Sequence, residues 1–285
     1  MGAKTRHQRP WARKRVLVQI GATVAMNSYF LSFLKFCPTP ALNCYACPLA
    51  TTACPIGSFQ YFLAIRRVPF ALLGFVTAIG ALVGRATCGW ACPFGFIQDL
   101  LARLCLDPKR KLARGIGPGW VRYFVLVGLV GAGAFIVRSP IFCKLCPAGT
   151  LEAGIPLALT KPYVRDLIGP LYWAKLGILA ALVAAAVLIK RPFCRFICPL
   201  GAAYSPFNRL SRMRLSVDHT RCTNCGLCRN LCPVELEVHK DPGSDACIRC
   251  LECTRCPAVS VEWGKGPAWA SKAAGDVAAK LSRNS

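Results

Sequence analysis

The tetrapeptide Cys-Pro-x-Gly occurs four times in this chain, beginning at Cys54, Cys92, Cys146 and Cys198. The copies alternate with apolar runs at residues 16–34, 68–84, 119–137 and 171–189, each 17 to 19 residues long. A helix rising 1.5 Å per residue needs about 20 residues to cross a bilayer's hydrocarbon. The runs therefore read as four transmembrane helices, with Cys54 and Cys146 on one side and Cys92 and Cys198 on the other. One tetrapeptide could arise by chance, but four at matching places point to a duplicated two-helix unit. Proline keeps the residue before it extended, so each thiol is held where a helix begins, and glycine lets the backbone turn closely around a bulky group.

Composition supports the membrane reading. Of 285 residues 54% are hydrophobic and 17% charged, against about 25% charged in a soluble domain. The first run follows a basic stretch, but its core is long for a signal peptide and Lys35-Phe36-Cys37-Pro38 offers no small-residue cleavage site. It reads as an uncleaved span. The formal charge of +24 would suggest nucleic acid if it were spread over a soluble chain. It belongs instead to the hydrophobic part: residues 1–217 hold 27 Lys and Arg against four acids. The N-terminus, the 85–118 loop and the region after residue 189 hold 27 basic residues, whereas the 35–67 and 138–170 loops hold seven. The positive-inside rule then makes both termini cytoplasmic. Arg66, Arg67 and Lys175 fit as snorkelling residues, and nucleic-acid binding is set aside.

Nineteen cysteines are too many for an enzyme with one reactive thiol. After residue 217, Cys222-x2-Cys225-x2-Cys228-x3-Cys232-Pro233 has the spacing of a bacterial two-cluster ferredoxin, whose fourth cysteine serves the other cluster. The second run, Cys247-x2-Cys250-x2-Cys253-x2-Cys256-Pro257, is one residue short before its last cysteine. Two [4Fe-4S] clusters follow, one on Cys222, Cys225, Cys228 and Cys256, the other on Cys247, Cys250, Cys253 and Cys232. Structural zinc and disulfides are the competing readings; the Cys-Pro endings argue against zinc, and a reducing cytoplasm against disulfides.

On the inner side, Cys88, Cys92, Cys194 and Cys198 come from both repeat halves and suit one further cluster; buried apolar thiols or a redox dithiol are the alternative. Outside lie Cys37, Cys44, Cys47, Cys54, Cys143 and Cys146. They suit an outer cluster on Cys143, Cys146 and at least two of the other four, or else disulfides in an oxidising compartment. Cys105 stands alone in the basic loop and reads as an inert thiol.

The strings Cys88-Gly89-Trp90-Ala91-Cys92-Pro93 and Cys194-Arg195-Phe196-Ile197-Cys198-Pro199-Leu200-Gly201, followed by a double ferredoxin run, resemble the NapH-type membrane polyferredoxins over about residues 68–263. That resemblance implies a quinol dehydrogenase subunit in the bacterial cytoplasmic membrane that feeds a partner reductase. The Cys-Gly-Trp-x-Cys-Pro string also resembles the CcoG/FixG-type proteins of oxidase assembly, which act in copper reduction. This chain departs from the NapH pattern in its six outer cysteines.

The expected architecture is an all-α membrane domain over residues 16–217, after a basic segment 1–15. A small α+β ferredoxin domain over 218–263 and a polar tail over 264–285 follow. His7, His219 and His239 lie outside the runs, and no Cys-x2-Cys-His occurs, so haem is not expected. No Gly-x-Gly-x-x-Gly follows a strand, so neither flavin nor NAD is expected. The expected function is iron–sulfur electron transfer between a quinone pool or an extracytoplasmic donor and another redox subunit; the apolar 152–170 loop reads either as a seat for a quinone headgroup or, more commonly for such a loop, as a segment packed on the helices. The alternative is an assembly factor that reduces a metal ion or thiols for a larger complex. Reporter fusions at Ser285 and within residues 138–170 are expected to report opposite sides of the membrane; equal signals would overturn the topology.

Overall fold

The computed structural model describes residues 10–103, 119–166 and 168–264; Cys105 and the polar tail beyond residue 264 lie outside them. The apolar runs are helical, but among the described residues only Pro170–Leu188, with 19 residues, is both long and apolar enough to cross a membrane. The expectation of four full-length spans is corrected here, and each shorter helix has a local cause. The first, Pro10–Met26, starts ahead of its run and stops where Asn27 donates its side-chain amide to the Thr23 carbonyl at 2.9 Å. The rest of that run forms the 3-10 turn Tyr29–Phe36. The second, Phe70–Val83, has 14 residues, roughly 21 Å of helix. It is bounded by Pro69 and by Gly84, whose φ of 60° breaks the helix. The third, Val121–Val137, carries a π-helical segment at Val125–Ala132.

The segments between these helices turn back into the protein. Ala41, Leu42, Ile56, Phe142 and Ala148 share one buried core with Cys88, Cys92, Cys194 and Cys198. The helix Pro55–Ala64 of the first half packs on Gly133–Val137 and Val125–Ala132 of the second, whereas Ile141–Leu145 and Pro147–Gly149 pack on Pro170–Leu188 of their own half. Large apolar side chains such as Phe70, Val127, Ile136 and Trp173 remain exposed on the helices. An apolar surface of this extent calls for a non-aqueous surround.

The Cys-rich end is closed by a two-stranded antiparallel sheet. Strand β1, Met213–Val217, pairs with β2, Val259–Trp263, so that Met213 faces Trp263 and Val217 faces Val259. This unit is clamped onto the inner ends of the helices. Asn208 donates to the carbonyls of Ser244 and Cys247 at 2.9 and 2.7 Å, and Trp90 donates to the Arg249 carbonyl at 3.0 Å. Arg249 in turn donates to the carbonyls of Met213 and Asn208. Arg15, in the first helix, pairs with Asp99 and, at 3.4 Å, with Glu252. Burial alone would push the Asp99 carboxyl up, but Arg191 and then Arg15 hold it below the usual carboxylate range.

Gly89 shows how close this clamp is. A Cβ there would lie 2.5 Å from the Ile248 carbonyl oxygen, a backbone atom with little freedom to retreat. Gly89→Ala is expected to cost about 1–3 kcal/mol. A lower Tm and earlier proteolytic release of the C-terminal unit would report it; an unchanged Tm would show that the two backbones do not meet.

Candidate functional site

The four Cys-Pro-x-Gly strings fold alike. Cys54, Cys146 and Cys198 are extended, with φ near −64°, −66° and −60°, and the following proline opens a helix in each case. Pro93 likewise opens the helix Pro93–Arg103 after Cys92. Each cysteine thus sits at the N-cap, the proline at the first helical position and the glycine at the third. The Gly95 N–H donates to Cys92 Sγ at 3.4 Å and the Gly201 N–H to Cys198 Sγ at 3.3 Å. Gly57 and Gly149 hold the same position after Cys54 and Cys146, but neither of these two capping thiols accepts a hydrogen bond from its helix start. A helix N-terminus favours negative charge, but burial outweighs it and raises all four thiols. The glycines serve close approach rather than the turn expected of them. A Cβ at Gly57 would lie 3.5 Å from Cys143 Sγ, and one at Gly149 3.3 Å from Cys44 Sγ.

Those two contacts cross between the repeat halves and pick out the outer group: Cys44, Cys54, Cys143 and Cys146. Burial, then the neighbouring thiols of Cys54 and Cys44, push Cys143 up to about 12. Burial, then Glu152 and Cys54, push Cys44 up to about 11. The Glu152 carboxylate, itself raised to about 7 by burial, accepts the Cys44 N–H at 2.7 Å and ties this loop into the group. Cys47 packs with Ala50 and Ala153, with Cys44 against them, and its thiol lies 3.9 Å from Asn27 Oδ1. Cys37 stands at the mouth of the loop, where its carbonyl accepts from the Ala53 N–H at 3.0 Å. All eighteen described cysteines are free thiols, so none of the outer six is paired as a disulfide.

The inner group comprises Cys88, Cys92, Cys194 and Cys198, all buried. Burial, then Cys194 and Cys88, raise Cys92; burial, then Cys194, Cys88 and Cys92, raise Cys198. Gln98 donates to Cys194 Sγ at 3.3 Å. Only a short stretch of chain separates inner from outer group: the N–H of Leu42 turns to the Cys92 thiol and that of Asn43 to the Cys54 thiol.

In the Cys-rich unit, Cys232, Cys247, Cys250 and Cys253 line one small apolar cavity with Val234 and Ile248. Burial, then the facing thiols, raise Cys253. The remaining four are less gathered. Cys228 and Cys256 border the same core as Cys253. Cys225 is exposed, and Cys228 Sγ lies 3.7 Å from His239 Nδ1.

Among the described residues no three His, Cys, Asp or Glu side chains converge as a single metal ion requires. Thiols in sets of four but held apart, as in the outer group, the inner group and the Cys232 cavity, fit an iron–sulfur cluster, in which each thiolate binds a different iron. The N–H bonds to sulfur are those that tune such a site. Two buried residues escaped sequence reasoning, Arg85 and Arg191. Arg85 Nη2 donates to the Cys194 carbonyl at 3.2 Å and Arg191 Nη1 to the Cys88 carbonyl at 3.0 Å, each bracing the other half. Their signal was the register, since each precedes the first inner cysteine of its half by three residues.

Two family models match, both described as a 4Fe-4S binding domain. One matches twice, over residues 68–114 and 172–218, once in each half of the repeat; the other covers residues 215–236. An uncharacterized protein of Methanocaldococcus jannaschii is 29% identical over 209 residues, 70% of this chain and 81% of its own. The ferredoxin-type protein NapH of Haemophilus influenzae is 28% identical over 222 residues, 70% of this chain and 69% of its own. The putative electron transport protein YccM of Escherichia coli is 25% identical, over 69% of this chain and 56% of its own. No solved structure matches. The chain is similar to ferredoxin-type electron-transport proteins.

Cys54→Ser and Cys92→Ser are each expected to remove about four irons per chain, one cluster's worth. Cys47→Ser is expected to remove none. Iron analysis of protein purified without air checks all three, and iron loss on replacing Cys47 would redraw the outer group.

Proposed function

We propose that this chain is a membrane-bound electron-transfer subunit with four [4Fe-4S] sites, carrying single electrons between a quinol or extracytoplasmic donor and a partner oxidoreductase on the cytoplasmic side. The observation that carries the reading is the gathering of twelve cysteines into three sets of four, two of which draw on both repeat halves; the spacing of Cys222, Cys225, Cys228 and Cys256 supplies the fourth. When bound, each cluster supplies a one-electron couple whose potential depends on net charge, sulfur hydrogen bonds and exposure.

The chain's own residues then divide the work. Cys44, Cys54, Cys143 and Cys146 hold the outer site, and the buried stretch Ala41, Leu42 and Asn43 fills the gap to Cys88, Cys92, Cys194 and Cys198. Gly89 brings the inner loop against Ile248 and Cys250, so the next site, on Cys232, Cys247, Cys250 and Cys253, follows directly. The last set, Cys222, Cys225, Cys228 and Cys256, lies nearest to solvent through Cys225. That makes it the point of exchange with a partner. The apolar walls of the first three sites exclude water, which keeps thiolates from proton exchange and lowers the reorganisation that accompanies each transfer.

In this reading the short helices and the four-span topology belong together: re-entrant segments carry the outer thiols inward, and both termini remain cytoplasmic. Half-buried Glu152 beside the outer thiols marks where a quinol headgroup would approach. Protein purified without air from membranes is expected to contain about sixteen iron and sixteen sulfide per chain, four clusters of four. It is also expected to bleach on reduction and recover on oxidation. Zinc in place of iron, or iron without sulfide, would overturn the proposal.

A further inference from the structure

The two halves of the repeat place Arg85 and Arg191 at equivalent positions, Cys88 matching Cys194 and Gly95 matching Gly201. Both side chains are wholly buried, at 1% and 0% exposure. Each crosses to the opposite half. Arg191 fills the space beside Gly95, where a Cβ would lie 3.3 Å from Nη1; Arg85 fills that beside Gly201, where a Cβ would lie 2.6 Å from Nη2. The exchange is symmetric except in one respect. Arg191 donates through Nε and Nη2 to the two carboxylate oxygens of Asp99 at 2.6 and 2.5 Å. Asp99 follows Gly95 by four residues, and the residue four beyond Gly201 is Ser205. Ser205 is buried and donates its hydroxyl to the Gly201 carbonyl at 2.7 Å, leaving nothing for the arginine. Arg85 Nε, the atom whose counterpart Asp99 satisfies, has no partner among the described residues. Nor does any described carboxylate pair with Arg85, whose other bonds go to the carbonyls of Asp245 and Cys194.

A buried charge without a counter-charge costs several kcal/mol and persists only where something nearby offsets it. Arg85 lies between two thiol groups, bonded to Cys194 of the inner set and to Asp245, two residues before Cys247. A cluster on four thiolates carries net negative charge, and an adjacent cation favours its reduced form. We propose that Arg85, left unpaired by the Asp-to-Ser difference between the halves, is the shared counter-charge of the inner site and the Cys232/Cys247/Cys250/Cys253 site. It raises the reduction potentials of these two sites together. The inference rests on the electron-transfer reading above. Electron transfer between the two oxidises one and reduces the other by one electron. A common cation shifts both in the same direction and so leaves the driving force of the step between them nearly unchanged while moving both relative to the other sites.

The test is a redox titration, followed by electron paramagnetic resonance, of the full-length protein purified without air. Cys92→Ser identifies the inner signal. Arg85→Met, which keeps the bulk and removes the charge, is expected to shift the midpoints of both sites downward and leave those of the outer and solvent-side sites in place. Ser205→Asp, which keeps the arginine and restores the missing partner, is expected to do the same. Arg85→Lys is expected to stay near the parent values. Iron-replete Arg85→Met or Ser205→Asp with unmoved potentials, or with all four sites shifted alike, would overturn the proposal. If Arg85→Met loses iron, Ser205→Asp decides; iron loss in both variants would make the role of Arg85 structural and overturn the tuning. Failure of the electron-transfer reading is visible separately, as an unsubstituted protein without an inner cluster.

Discussion

Neither half of the repeat owns a complete four-thiol group in the membrane part, and the rest of the architecture follows from that dependence. Cys88 and Cys92 need Cys194 and Cys198; Cys143 and Cys146 need Cys44 and Cys54. The halves are locked by contacts that exist only when they meet: the arginines exchanged across the axis and the glycines that leave room for a thiol or guanidinium of the other half. In the proposed reading, ligand binding at such a site would also be binding between halves, which would make cluster insertion and closure of the helices one event. The N-cap placement serves the same end. Each thiol is fixed by its own helix start, and only the relative placement of the starts has to be built by folding.

Much of this was legible in the sequence because cysteine, proline and glycine act locally. Cys-Pro-x-Gly encodes cap, first turn and N–H donor within four residues. The spacing of Cys247, Cys250 and Cys253 is short enough to bring those thiols into one cavity with Cys232. What could not be read depends on contacts distant in sequence. Cys44 is tied to the other half because Glu152, more than a hundred residues away, accepts its N–H. Helix lengths were overestimated because hydropathy does not register Asn27 folding back on Thr23 or Gly84 at positive φ. Arg85 and Arg191 were visible as a repeated pair, but a buried arginine is recognised only once its surroundings are known.

The asymmetries within the repeat carry as much meaning as the symmetry. Duplication would have given two equivalent carboxylates and two equivalent outer loops; the chain has Asp99 against Ser205, and a long loop bearing Cys44 against the compact Cys143-Lys-Leu-Cys146. In the proposed reading both differences bear on conduction. The long loop bends inward far enough for Leu42 and Asn43 to reach thiols of two different groups, which shortens the path from outside. The missing carboxylate leaves positive charge at the inner side, next to the Cys-rich unit. A chain of redox sites conducts when neighbours are close and their potentials are not badly mismatched, and these two departures from symmetry act on those two quantities.

The C-terminal unit adds a last constraint. Ferredoxins that exchange electrons by diffusion need to leave their donor, whereas here the corresponding unit is held by the Asn208, Trp90 and Arg249 bonds and by the Arg15–Glu252 pair. Gly89 against Ile248 allows no side chain between the two backbones. Such an interface gives up mobility for a fixed short distance between the inner thiols and Cys250. Exchange with other proteins is then left to the far side of the unit, where Cys225 is exposed and the chain around residues 218–225 faces solvent. Rigid contact at one end and an open edge at the other are what an electron carrier needs if it stays with its membrane part and meets its partner by collision.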